Sequence, residues 1–279
     1  GTTRGAIYHV DTRSKRQTAE AGVIGKYTTG AVKHRAQLSA NILKMKEGTN
    51  NTACNYCTTT NMYDPVTPVF PNAPVWNGYD KASARTNNDF RSLALADTMS
   101  FADDKVLVTL GLRHQSIKQP WNNHYSKSRV SPMLGAVVRP WGNDIALFGN
   151  YTEGMEPGQV VGVNFANAGQ VLGPRVTKQA EVGVKLQTGQ LTHTFSAYEI
   201  RRPSFVTNRA NEQVDDGLQR LRGLEWSVFG KLTQSVSVLG GVTHLKSVQR
   251  NTGKTTYGTP GLRARVGLHW DTPVQGLTL

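Results

Sequence analysis

The stretch Lys178-Gln-Ala-Glu-Val-Gly-Val-Lys-Leu186 decides how this chain folds. In an extended backbone, successive side chains point to opposite faces. Ala180, Val182, Val184 and Leu186 then share one face, and Glu181, Gly183 and Lys185 share the other. Gly261–Trp270 repeats the pattern, setting Leu262, Ala264, Val266, Leu268 and Trp270 against Arg263, Arg265, Gly267 and His269. Lys105–Arg113 is a third copy, with Val106, Val108, Leu110 and Leu112 opposite Leu107, Thr109, Gly111 and Arg113. One face is apolar, and the other carries glycine and charge. Nowhere does an i, i+3, i+4, i+7 apolar series persist, so the chain reads as all-β.

A soluble antiparallel sheet with one face on a core would show the same alternation. Length separates the two readings. Soluble strands have a mode near ~5–6 residues, whereas a tilted strand crossing a bilayer needs ~9–11. The alternation predicts strands at 4–11, 17–29, 32–44, 90–101, 105–117, 129–139, 143–152, 178–188, 191–205, 219–231, 234–247 and 259–271, with a start at 277. That is about twelve to thirteen strands, most long enough to span. Trp141 and Trp270 fall at strand ends, where interfacial aromatics belong. The links alternate in length. Tight turns near Thr29-Gly30, Ala102–Asp104, Pro140–Asn143, Thr188–Gln190, Leu232-Thr233 and Thr272–Gly276 separate longer stretches at 45–89, 118–128, 153–177, 206–218 and 249–258. Short periplasmic turns and long outer loops produce this rhythm in an up-and-down transmembrane barrel.

Bulk composition agrees without deciding. Only 38% of the 279 residues are hydrophobic, mean hydropathy is −0.42, and no run approaches the ~18 apolar residues of a membrane helix. A helical membrane protein is excluded, while alternating strands average out as hydrophilic. Thirty-two Lys and Arg against 19 Asp and Glu give a net charge of +13. These residues spread along the whole chain and form no stripe or tail, which argues against nucleic acid. They suit a polar lumen, lipopolysaccharide phosphates or an anionic ligand.

Cys54 and Cys57 form a single CNYC tetrad among Asn and Thr, in what reads as a long polar loop. A local disulfide in an oxidising compartment is the favoured reading, ahead of an idle thiol pair and of metal binding. The seven histidines show no pair at metal-ligand spacing on one strand face. Gly1 begins mid-pattern and Leu279 falls just as a strand begins, so both ends read as cut.

Particular residues carry a family resemblance. Ser131–Pro140 followed by Ile145–Pro157 (IALFGNYTEGMEP) resembles a hallmark hairpin of TonB-dependent ferric-siderophore receptors of the outer membrane. Lys178–Lys185, Phe195–Pro203 and Leu221–Trp226 are similar to that family's next segments, and Leu93–Arg113 to the preceding hairpin. Met62-Tyr-Asp-Pro65 resembles the Tyr-Asn-Pro of ferrichrome-type members. The resemblance implies an antiparallel barrel of about 22 strands, of which this chain is the central part. It also implies a plug domain, a TonB-contacting box and flanking strands lying outside the chain. Leu172-Gly-Pro-Arg departs from the family's usual leader to the Glu signature.

For individual residues the resemblance implies further expectations. Tyr63, Trp76, Tyr79, Trp121, Tyr125 and Phe165 are candidate ligand contacts on outer loops, against the alternative of loop self-packing. Glu181, Lys185, Glu225, Arg263 and Arg265 are expected to face the lumen and the plug, against the alternative of a solvated, paired wall. The implied activity is TonB-energised uptake of a ferric siderophore, with cobalamin or another metallophore as the runner-up. The expected partners are the siderophore, the TonB-ExbB-ExbD complex and outer-membrane lipid and lipopolysaccharide. Neither a resident cofactor nor a metal site is expected, since iron arrives chelated. A soluble basic polyanion-binding module is the competing class. An enzyme would need a nucleophile elbow or a positioned base, and the sequence offers neither.

Overall fold

Hairpins of alternating strands build the whole structure. The computed structural model describes residues 2–61, 63–66, 72, 74–120, 125–256 and 258–278, with side chains described outside 2–7 and 54–58. Among the described residues, eleven strands form one sheet in chain order. They are β1 (Thr2–Thr29), β2 (Val32–Asn61), β3 (Ala84–Phe101), β4 (Val106–Gln119), β5 (Tyr125–Val138), β6 (Ile145–Glu156), β7 (Arg175–Thr188), β8 (Leu191–Thr207), β9 (Gln213–Lys231), β10 (Val236–Gln249) and β11 (Leu262–Trp270). Every pair from β5–β6 to β10–β11 for which a register is defined is antiparallel, which makes this stretch an up-and-down meander. The only helical element among the described residues is a 3-10 turn at Tyr79–Lys81. No helix among them is long and apolar enough to cross a membrane.

The strand count corrects the expectation of about twelve to thirteen. Segments 4–11 and 17–29 are one strand, β1, because Asp11–Arg16 stays extended. β2 continues to Asn61 and β3 begins at Ala84, so the link expected at 45–89 shrinks to 62–83. Both differences share a cause: these stretches are polar on both faces, so period two leaves no trace in the residue types. At the other end, Thr278 makes an isolated bridge with Asp271 and belongs to no named strand.

Two compact units divide the chain. One comprises 1–20, 41–91 and 116–126; the other comprises 21–40, 92–115 and 127–279. In the second, the short links are built from residues that tolerate positive φ. Gly189 (φ 59°) opens the two-residue turn between β7 and β8, the geometry that matches strand twist. Between β3 and β4, Ala102, Asp103 and Asp104 take φ of 50°, 53° and 67° in succession. Such residues each cost about 1 kcal/mol or more outside glycine, and Asp104 is anchored in compensation. Its carboxylate accepts a hydrogen bond from the Ser100 hydroxyl and lies 3.7 Å from Lys33 Nζ. Its carbonyl oxygen accepts a bond of 2.5 Å from Arg139. The Ser100 bond, then the Lys33 charge, holds the Asp104 carboxyl below the usual carboxylate range.

Among the described residues buried side chains are few, and include Ile117, Tyr125, Val161, Ser131 and Ser247. The apolar face of the meander is open instead: Val182 is 62% exposed, Leu224 60%, Val266 77% and Leu268 64%. A soluble protein rarely leaves a continuous apolar surface of this kind uncovered.

Candidate functional site

The registers sort the second unit into two faces. Val184 pairs with Leu147 on β6 and Phe195 on β8, Phe195 with Trp226, and Trp226 with Val242. One rung down the ladder, Leu186 pairs with His193, His193 with Val228, Val228 with Gly240, and Gly240 with Val266. These rungs form the apolar face. Trp226 stacks between His193 and Phe195, at centroid distances of 6.3 and 6.4 Å.

The opposite face carries the expected wall residues. Glu181 pairs with Asn150 and Tyr198, Glu225 with Ser196 and Thr243, and Thr243 with Arg263. The Asn150 side-chain amide donates to Glu181 at 3.2 Å. Lys185 Nζ lies 5.9 Å from the centroid of the Phe148 ring. Tyr198 is within electrostatic range of Glu225, Arg263 and Glu181. Glycines make room for the rings here. A Cβ at Gly223 would overlap Tyr198, and one at Gly183 would overlap Phe148. Both rings therefore lie flat over backbone. The structure thus brings Glu181, Lys185, Glu225, Arg263 and Arg265 onto one polar face.

Phe165 is half-buried on the link between β6 and β7. That link is tied to the one between β8 and β9. Gln159 and Asn167 donate to the Gln213 side chain and carbonyl at 2.6 and 2.9 Å, and Ala166 N–H donates to the Asn211 carbonyl at 2.8 Å. At its base, Glu156 accepts two bonds of 2.9 Å from Arg202 and faces Arg175 at 3.1 Å.

The first unit holds the remaining loop aromatics. Trp76 meets Tyr79 edge-on at 5.2 Å, and the Arg13 guanidinium lies 4.8 Å from the Trp76 ring centroid. A Cβ at Gly48 would run into Trp76, so the indole rests on bare backbone there. Both rings make packing contacts within the unit. Tyr63 is 81% exposed, whereas Tyr125 is 2% exposed and offers no ring to solvent. Trp121 lies outside the described residues. Reading the sequence alone misses a basic cavity of about 340 Å³ beside Tyr79, lined by Lys15, Gln17, Lys44, Lys46, Asn87 and Asp89. Its signal is spacing: Lys15 and Gln17, and Lys44 and Lys46, alternate within strands.

Cys54 and Cys57 fall inside β2, not in a loop. A strand rises ~3.3 Å per residue, so Cα atoms three apart lie about 10 Å from each other, beyond the ~4.4–6.8 Å of a disulfide. Extended backbone over this stretch favours separate thiols, while the two side chains themselves lie outside the described ones. Alkylation of the unreduced protein tests the expected disulfide: labelling of both thiols would count against it, and labelling of neither before reduction would support it. Among the described residues, no group of three or more His, Cys, Asp or Glu side chains is placed to hold a metal ion.

Long antiparallel strands, an exposed apolar face and a polar face of glycine and charge define part of a transmembrane β-barrel. The chain belongs to the TonB dependent receptor-like β-barrel family, which matches it over residues 3–279. It is 30% identical over 282 residues to the ferrichrome receptor FcuA of Yersinia enterocolitica, covering 92% of this chain and 36% of that protein. It is 26% identical over 303 residues to the ferrichrome outer membrane transporter/phage receptor of Escherichia coli K12, covering 96% of this chain and 38% of that protein. The crystal structure of BauA, the ferric preacinetobactin receptor from Acinetobacter baumannii, superposes with a TM-score of 0.81 at 32% identity. That match covers all of this chain and 44% of BauA. The chain therefore spans under half the length of these relatives, and it is part of a protein of the bacterial outer membrane.

Proposed function

We propose that the intact protein imports a ferric siderophore, energised by the TonB-ExbB-ExbD complex acting through a plug domain outside this chain. The observation that supports the reading is the two-faced meander, with apolar rungs suited to lipid on one face and Glu181, Lys185, Glu225, Arg263 and Arg265, suited to a lumen, on the other. Among the described residues none of these five makes an ion pair. A charged, unpaired wall is suited to contacts with a plug and with a moving polar solute. The relatives named as ferrichrome and ferric preacinetobactin receptors support the ligand class. Iron is cargo here, and no bond of the ligand is made or broken. Cobalamin or another metallophore is the second reading.

Ligand capture is assigned to the first unit, where Trp76 and Tyr79 of the link 62–83 lie beside Arg13 of β1 and the cavity lined by lysines of β1 and β2. A positive field speeds the arrival of an anionic chelate more than it tightens binding. In the intact receptor, Trp76→Ala with Trp121→Ala is expected to weaken ferric-siderophore binding about tenfold, which corresponds to ~1.4 kcal/mol. Barrel assembly should be unchanged. If that variant and a deletion of 62–83 both grow like the parent on every ferric siderophore the strain uses, these links do not read the ligand. The assignment then reverts to TonB-dependent transport of another solute.

A further inference from the structure

Asn77-Gly78 is the single Asn-Gly pair in the 279 residues, and every other asparagine precedes a residue with a Cβ. The pair sits on the link between β2 and β3, and the chain is fixed on both sides of it. Upstream, Asn50 donates to the Val75 carbonyl at 3.4 Å, and the Trp76 ring rests on Gly48 beside the Arg13 guanidinium. Downstream, the Lys81 and Ala82 N–H groups donate to the Gly78 and Tyr79 carbonyls at 3.3 and 3.4 Å, which closes the 3-10 turn. Arg85 donates to the Asp80 carbonyl. The joint between these anchors is not held. Asn77 is exposed, and among the described residues neither its side-chain amide nor the Gly78 N–H has a hydrogen-bond partner.

Those two unheld groups are the reactants of a ring closure. A backbone nitrogen can attack the side-chain carbonyl carbon of a preceding asparagine, closing a five-membered ring. A Cβ on the attacking residue shields the nitrogen, and glycine has none. Gly78 takes φ 97° and ψ 165°, a conformation that glycine enters most readily. Space around it is open: a Cβ there would meet nothing within 4 Å. Asn251 shows the opposite arrangement. Its amide donates to the Asp216 carbonyl at 2.9 Å, and the β-branched Thr252 follows it.

We propose that Asn77 is a site of spontaneous deamidation in the folded receptor. The Gly78 nitrogen gives its proton to hydroxide and bonds to the Asn77 side-chain carbonyl carbon. The side chain's own C–N bond breaks, ammonia leaves, and a succinimide remains. Water then opens that ring at either carbonyl, giving aspartate or isoaspartate, and nothing is oxidised or reduced. Both products put a carboxylate where a neutral amide stood, and isoaspartate adds a methylene to the main chain between Trp76 and Tyr79. The surroundings are cationic: Arg13 lies over Trp76, and Lys15, Lys44 and Lys46 line the cavity beside Tyr79. A negative charge added there weakens the field that draws in anions, so an aged receptor captures an anionic chelate more slowly. The chemistry is independent of the transport reading, and only this last consequence rests on it.

The test ages the full-length receptor in detergent at mildly alkaline pH, while peptide mass mapping follows the exchange of NH for O at each asparagine. Asn77 is expected to convert at least about tenfold faster than Asn251, a barrier difference of about 1.4 kcal/mol. Asn77→Gln should abolish the signal, because the longer side chain would have to close a six-membered ring. Heat-modifiable gel mobility checks that the aged receptor is still folded, and the same mapping in urea gives the unfolded rate. Conversion no faster than at Asn251, or conversion in urea alone, overturns the proposal. Asn77→Asp isolates the charge: at low ionic strength it should slow the association of an anionic ferric catecholate. Association at the wild-type rate overturns the consequence for capture. A wild-type receptor that binds no ferric chelate overturns the transport reading together with that consequence, and the mapping at Asn77 is read separately from both.

Discussion

In the intact receptor refolded into lipid bilayers, Val184→Arg is expected to cost ~2–4 kcal/mol of folding free energy, as a mid-bilayer guanidinium does on a barrel's lipid face. Val184 sits between Leu147 and Phe195, with apolar rungs on either side of its own. An arginine there has a long reach to the nearest water, and no acid on that rung can pair with it. The neighbouring residue is the control. Lys185→Gln lies on the opposite face, where Lys185 is exposed, and such a change should stay within about 0.5 kcal/mol. Urea unfolding of the two variants measures the difference. Equal, small effects would mean that alternation along β7 does not separate lipid from lumen.

Gly230→Ala is expected to be at least as damaging, for a reason internal to the backbone. Gly230 takes φ 137° at the end of β9, a region that residues with a Cβ rarely enter. A Cβ there would also lie inside van der Waals contact of the Gln190 carbonyl oxygen. Backbone strain of ~1–3 kcal/mol and overpacking of similar size together predict a loss of about 2–6 kcal/mol. Gly30→Ala makes the comparison. Gly30 has φ 59° with nothing near the added methyl, so only the left-handed cost of ~1–2 kcal/mol applies. Denaturant midpoints of the two variants should differ in that order. If Gly230→Ala proves as mild as Gly30→Ala, the close approach between β8 and β9 is not rigid. The register that places each side chain on its face would then rest on the turn alone.

Wherever one face of a strand meets lipid and the other water, the residues record it. The expected strands 178–188, 191–205 and 234–247 fall within three residues of β7, β8 and β10. Beyond the apolar band the record fades. Thr12-Arg-Ser-Lys-Arg16 and Lys46–Asn61 are extended but polar in residue type at odd and even positions alike, so no periodicity distinguishes them from loop. Cys54 and Cys57 read as loop residues for that reason. The candidate site divides in the same way. Glu181 and Arg263 share a face by counting alone, and the registers agree. Counting along one strand cannot show that Trp76 rests on Gly48, or that Tyr125 is buried, because those facts depend on chain brought back from elsewhere.

Trp226 gives the molecule an optical consequence. Its indole is held in the apolar rungs between two other rings, while Trp141 and Trp270 stand beside the short turns, 70% and 43% exposed. A single polypeptide thus holds emitters at two depths of a bilayer, without any dye attached. Lipids brominated at successive carbons quench each in turn, so ordinary fluorescence reports how deep the sheet sits and whether it shifts as the receptor works.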